Sequence, residues 1–475
     1  MPGPRTEAPP SPMSVLRDGR PRLDLFVDAR PIRAGRCAPA AVSIPEGRTR
    51  VRLEWRAGDG RWSPWPVGPE RPTHRGVTTL RLCPGWTAGP LEIRAIGDDA
   101  RPSAASRVHT SGAPWMGELE RLIGNRPMSV SVMVDGAFVY GHLPGVRRAP
   151  ASNEKVLLSM AMLALVGPGA RLWTEAAARE PMRHGVVDGD LVLVGHGDPE
   201  LGADDLGRLA LRLRKAGLEH VMGSVVGDMS TFERDREAVG WHPIALRYVG
   251  LPTALSFERN VDAGGYVFDP ERRAAAALDA GLRALGVRVD GPSGAARARD
   301  HLRTVASVPS APLAEILRRQ NVASINLDAE TLSKSLATQE LRRPASIAEG
   351  AAVIERWAND LEAGVTLHDA SGLSYRNRVS TGALAALLDD ATARPWGDEL
   401  MASLPAPGEG TLAGRLDGLE VRAKTGTLIH DVSALSGYVR LRDGRVASFS
   451  IMSALPKGEA VALEDAIVRT LAART

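Results

Sequence analysis

The chain has 475 residues, of which 44% are hydrophobic and 24% charged, and a net charge of only +3. These values fit a soluble globular protein of two to four domains and leave no basic face dense enough to argue for nucleic acid. No apolar run of about 18 residues marks a membrane-spanning helix, and Met1 to Arg20, rich in Pro and charge, lacks the apolar stretch of a secretory signal.

Residues 1–20 read as a flexible tail. From 21 to 112 short runs alternate apolar and polar residues with period two, as in 50–55, 78–82 and 91–96. Gly, Pro and Asp separate them, and Asp59-Gly60 has hairpin-turn chemistry. This predicts a β-rich, sandwich-like accessory module. Trp55, Trp62, Trp65, Trp86 and Trp115 lie in or just after it. They read as core and turn packing, with a carbohydrate- or wall-binding face as the alternative. Cys37 and Cys83 also fall here, and a bridge between them or two free buried thiols both fit the sequence.

A helix is expected over 117–126, a hairpin over 129–141 around Asp135-Gly136, and a mostly apolar helix over 153–166 that Gly167-Pro168-Gly169 stops. Residues 175–303 read as an inserted α/β domain, with strands at 190–194 and 224–227 and a helix at 204–216. Helices follow at 312–320, 327–340 and 349–363, then strands at 420–428, 433–442 and 445–453 and a last helix at 460–473. The segments 113–174 and 304–475 on either side of the insert are expected to make up one domain.

Lysine carries the chemical signal. Of 59 Lys plus Arg only five are lysine: Lys155, Lys215, Lys334, Lys424 and Lys457. Arginine stays charged in a protein, whereas a desolvated lysine can give up its proton. Ser152 and Lys155 are three apart at a helix start, so their side chains share one face. The helix N-terminus there favours developing negative charge. S-x-x-K alone is weak, with roughly 0.3 occurrences expected by chance, but Lys424-Thr425-Gly426 on a strand is about ten times rarer. Gly426 would let a substrate backbone lie against the strand, while Lys424 and Thr425 offer a cation and a hydroxyl to a carboxylate. Ser324-Ile325-Asn326, just before a helix, is also read as a simple helix cap. The signatures G-x-S-x-G, H-E-x-x-H, G-x-x-x-x-G-K-[ST] and C-x-x-C are missing.

In this order the three motifs form the penicillin-recognising set. The chain resembles the D-alanyl-D-alanine carboxypeptidase/endopeptidase family of class C, low-molecular-mass penicillin-binding proteins, over roughly 115–475. Pro150-Ala151-Ser152-Asn153-Glu154-Lys155, Gly195-His196-Gly197-Asp198-Pro199 and His368-Asp369-Ala370-Ser371-Gly372-Leu373-Ser374 with Asn377 all look like that family's segments. So do Ala423-Lys424-Thr425-Gly426-Thr427-Leu428 and Ser436-Gly437-Tyr438. Ala370 stands where the family usually has glycine.

The resemblance implies an α+β fold, in which an antiparallel sheet flanked by helices forms a β-lactamase-like transpeptidase domain. It implies a serine hydrolase that cleaves D-alanyl-D-alanine bonds of peptidoglycan stem peptides and is acylated by β-lactams. Ser152 is then the nucleophile, Lys155 its base, Ser324 a proton relay between Lys155, the catalytic Lys424 and the leaving amine, and Asn326 a holder of the substrate amide. Lys424, Thr425, Gly426 and Thr427 bind substrate, and the backbone N–H groups of Ser152 and Thr427 form the oxyanion hole. No metal or organic cofactor is required, and the expected location is extracytoplasmic. A β-lactamase or esterase of the same fold, and a non-catalytic peptidoglycan-binding protein, are the alternatives.

Overall fold

The structure is a computed structural model. It describes residues 22–27, 32–33, 38–57, 62–64, 71–82, 89–98, 100–111, 113–298 and 301–474. The tail, both cysteines, Asp59-Gly60, Trp65 and Trp86 therefore lie outside the described residues. The chain divides into two compact units, one up to Ala113 and one from Pro114 onward.

In the first unit the long strand Ala38–Ala57 organises a seven-stranded sheet. It pairs antiparallel with Asp24–Val27, Arg71–Leu82 and Gly89–Gly97, with a register shift between Ile44 and Arg48. Its alternation places Val51 and Leu53 in a core with Leu80, Leu82, Ile93 and Val108, while Arg52 faces out. The indole of Trp62 is covered by Arg56 and Arg94, whose guanidinium carbons lie 4.7 and 4.3 Å from its ring centroid. Those arginines are themselves held by Glu92 and Glu54 on the neighbouring strands.

The second unit is built on a five-stranded antiparallel sheet in the order Val421–Leu428, Val432–Arg440, Val446–Ser453, Met128–Val134, Ala137–His142. Adjacent residues of a strand point to opposite faces, and helices cover both. Ser433 bonds Glu464 of the helix Lys457–Ala473 (2.7 Å) on one face. On the other, Tyr438 Oη donates to Leu388 O of the helix Thr381–Ala391 (2.9 Å). The expected α+β class is borne out. Two further helices, Glu154–Leu165 and Asn326–Leu341, are buried almost all round. A helix with no solvent face cannot show an amphipathic stripe, and the polar side chains of Asn326–Leu341 need partners inside the protein.

The chain leaves this core at Trp173–Ala178 and returns along Arg303–Pro309. These two strands pair antiparallel, with Trp173 opposite Pro309, so the inserted sheet takes in residues on both sides of 175–303. The sheet continues through Leu191–Gly195, Val225–Asp228 and Gly294–Ala296, the last three strands running parallel. The helices Ala203–Lys215 and Pro270–Ala284 bury Leu206, Leu209, Leu278 and Leu282 in a separate core. Parallel strands need crossover helices, and these two supply them. Among the described residues no helix is long and apolar enough to cross a membrane.

Candidate active site

The 3-10 turn Ala151–Asn153 leads directly into the helix Glu154–Leu165. Ala151 is buried with φ +48, a left-handed conformation that costs an L-residue about 1–2 kcal/mol. Close neighbours hold it there. A β-carbon on Gly372 (φ +83) would lie 1.8 Å from Ala151 O, and one on Gly426 would lie 2.9 Å from Pro150 O and 3.0 Å from Ser152 N. Two chain segments thus press against the turn, and only glycine fits at either point. Ser152 remains half-buried at the turn's tip.

Lys155 is fully buried one turn below. Its Nζ lies 3.1 Å from Ser152 Oγ, 2.7 Å from Asn326 Oδ1 and 2.5 Å from Ser371 O. The last two partners can only accept. A neutral amine has two N–H bonds and one lone pair. Asn326 and Ser371 take both N–H bonds, and the lone pair is left facing the serine hydroxyl. Burial pulls Lys155 down from 10.5 to about 8, against the upward pull of Asp369, Glu330, Glu154 and Asp328.

Asn326 opens the helix Asn326–Leu341, and its Nδ2 donates to Tyr248 O (3.0 Å), a carbonyl from the inserted region. Ser324 caps the preceding helix Leu313–Ala323 in the left-handed conformation (φ 56). That residue turns the chain so that Asn326 meets Lys155. The Ser324 hydroxyl is half-buried and makes no hydrogen bond to Ser152, Lys155 or Lys424.

Strand Val421–Leu428 lies at the edge of the sheet, leaving one row of backbone groups unpaired by strands. Gly426 faces the Ser152 turn, and strand alternation puts Lys424 on the same side. Lys424 is fully buried, with Nζ bonded to Thr425 O (2.9 Å) and no carboxylate partner among the described residues. Burial first, and then the charge of Lys155, hold its amine well below the usual lysine range. Thr425 is half-buried and Thr427 exposed. The Asn153 amide fastens turn to strand: with its oxygen turned to Ser436 Oγ (2.7 Å), its nitrogen donates to Lys424 O (2.6 Å). The structure therefore gathers Ser152, Lys155, Asn326 and the Lys424–Thr427 segment around one turn.

Sequence reading assigned no role to several neighbours. Asp369 accepts from Trp241 Nε1 (2.6 Å), Ser374 N (2.9 Å) and Asn377 Nδ2 (2.7 Å). Glu330 accepts from Ser371 N (2.8 Å) and Ala370 N (3.1 Å) and so fixes the carbonyl that Lys155 uses. Glu154 lies inside the S-x-x-K motif and is fully buried. The one sequence signal for Glu330 is its i,i+4 spacing from Asn326, which sets both on one helix face.

The family model of the D-Ala-D-Ala carboxypeptidase 3 (S13) proteins matches residues 120–261 and 258–474. A D-alanyl-D-alanine carboxypeptidase of Actinomadura sp. is 31% identical over a 509-residue alignment, covering 86% of this chain and 93% of the relative. A carboxypeptidase of Mycobacterium tuberculosis is 30% identical over 370 residues, covering 70% of this chain and 76% of the relative. Among solved structures, penicillin binding protein 4 (dacB) from Haemophilus influenzae superposes with a TM-score of 0.66 at 20% identity, over 76% of this chain and all of that one. At that identity the likeness is one of fold.

Proposed function

The chain belongs to the D-Ala-D-Ala carboxypeptidase 3 (S13) family of serine peptidases, and on that premise we propose that it cleaves D-alanyl-D-alanine bonds of peptidoglycan stem peptides through an ester on Ser152. Ser152 Oγ attacks the carbonyl of the penultimate D-alanine while Lys155 Nζ takes its proton. The negative charge that develops on the carbonyl oxygen is met by the backbone N–H groups of Ser152 and Thr427. Lys424, Thr425 and Thr427 receive the terminal carboxylate, with the Gly426 backbone close against the substrate. Asn326 holds the substrate amide, and Ser324, two residues before it, relays the proton to the leaving amine. The C–N bond breaks as that amine is protonated, and water then hydrolyses the ester, returning the proton to Ser152. A β-lactam presents a strained amide to the same groups and acylates the same serine. Because the substrate lies in the wall, the protein acts outside the cytoplasm.

The observation that carries this reading is the geometry of Lys155. Its Nζ lies 2.7 and 2.5 Å from two acceptors and 3.1 Å from the Ser152 hydroxyl, so that in the neutral amine the two N–H bonds are taken and the lone pair faces that hydroxyl. Incubation with a fluorescent penicillin is expected to give a covalent adduct that maps to the peptide around Ser152 and is lost in Ser152→Ala. No adduct on folded protein, or one that survives the substitution, would defeat the assignment.

A further inference from the structure

The carboxylates behind Lys155 play no part in the steps above. Glu154, Glu330 and Asp369 are fully buried and arrive from three different elements: the Lys155 helix, the Asn326 helix and the 368–374 turn. Their hydrogen bonding is unequal. Asp369 accepts from Gly372 N (3.1 Å), Ser374 N (2.9 Å), Asn377 Nδ2 (2.7 Å), Trp241 Nε1 (2.6 Å) and Ser371 Oγ (3.4 Å). Glu330 accepts from two backbone N–H groups. Among the described residues Glu154 has one donor, the Asn377 Nδ2 amino group, which also donates to Asp369, and its Oε1 has no partner. Two carboxylates converging on one amide NH2 group repel each other unless one holds a proton, and a buried anion with a bare oxygen is costly where a neutral acid is not. The donors settle which is which: Asp369 is solvated as an anion, Glu154 is not.

We propose that Glu154 is kept as the neutral acid with its proton turned to Asp369, and that Asp369 and Glu330 are positioning residues that hold the Ser371 carbonyl on Lys155 and steady Lys155 once it has taken the Ser152 proton. The proposal rests on Lys155 being the base. The proton moves only from Ser152 Oγ to Lys155 Nζ, and the carboxylates keep the protons they have. Around Lys155 the titratable groups are Glu154, Glu330, Asp369 and Asp328, the last already paired with Arg259 (3.3 Å), and on the other side Lys424. Burial, then Asp369 and Glu330, push the Glu154 carboxyl well above the carboxylate range.

The test uses the full chain and three variants, Glu154→Gln, Glu330→Gln and Asp369→Asn, with acylation by a fluorescent penicillin timed across pH. Glu154→Gln keeps a neutral group of the same shape, so acylation slows only severalfold and its pH midpoint stays in place. Asp369→Asn removes an anion and moves the midpoint down by about 1–3 units, and Glu330→Gln, which replaces a carboxyl that burial raises to about 8, moves it the same way by less. Infrared spectroscopy gives a reading that does not depend on activity: the carbonyl band of a buried carboxylic acid in the wild type, absent from Glu154→Gln. A missing band overturns the proposal. So does a midpoint moved by Glu154→Gln, or one that neither Glu330→Gln nor Asp369→Asn moves. Should one of the anion variants fail to fold, the other and the infrared band decide. A wild-type protein that penicillin does not acylate would sink the function itself, a separate outcome.

Discussion

Replacing Gly372 by alanine probes how tightly the nucleophile is framed. The new β-carbon would stand 1.8 Å from Ala151 O and 2.4 Å from Ala151 C, against ordinary contact from 3.4 Å outward. Both atoms at the clash are backbone, so no side chain can swing aside. The 368–374 turn and the serine turn must separate by about 1.6 Å, the difference between those two distances. A displacement of about 1 Å in a reacting group costs on the order of 100-fold in rate. The substitution also forces alanine to φ +83, worth about 1–2 kcal/mol of stability. Gly444→Ala isolates that second effect, since Gly444 has φ +86 and nothing within 4 Å of an added β-carbon. Both variants should melt a few degrees lower than the wild type. Only Gly372→Ala should lose acylation, by about 100-fold or more in the second-order rate with a fluorescent penicillin. Wild-type acylation by a folded Gly372→Ala would refute the claim that this turn clamps Ser152.

Lys155 sets a pH profile. With its amine at about 8 rather than 10.5, about one tenth of it is neutral at pH 7, against about 0.03% for an unperturbed lysine. Acylation should climb about tenfold per pH unit and level off above about pH 8; a flat profile, or a rise only beyond about pH 10, contradicts it. Lys155→Arg, whose side chain cannot release its proton, should abolish acylation at every pH. A stability prediction concerns Arg415, which bonds the buried Glu464 (2.9 Å) and Asp465 (2.7 Å). Arg415→Leu leaves Glu464 with only the Ser433 hydroxyl and should cost about 3 kcal/mol or more in urea unfolding near neutral pH. Burial already raises the Glu464 carboxyl, so the folded state holds that proton more tightly than the unfolded one. The penalty should shrink as the pH falls and Glu464 is protonated, and an equal penalty at about pH 5 and about pH 8 would contradict the pairing.

Much of the fold was legible from short apolar runs between turn residues. Val432–Arg440 and Val446–Ser453 fall within two residues of the expected 433–442 and 445–453, although both strands are buried on both faces. Ser152 and Lys155 were readable because one helical turn separates them. The helix Thr381–Ala391 was not, since Leu384, Ala385, Leu387, Leu388 and Ala391 are all buried and no polar face marks the period. The carboxylates behind Lys155 escaped for another reason. Glu154 reads as an ordinary first-turn acid that favours a helix N-terminus, and Glu330 as a good helix former. Only long-range contacts reveal that both are buried against the 368–374 turn.

The inserted sheet is stitched shut at its base by Trp173–Ala178 and Arg303–Pro309, which makes it look like a cassette that could be lifted out whole. Two of its threads run the other way. Tyr248 lends a carbonyl to Asn326, and Trp241 lends an indole N–H to Asp369. A shortened relative that dispensed with the cassette would have to find new partners for both, or work with a loosened lysine. The excursion is less an ornament hung on the enzyme than a brace reaching back to its working parts.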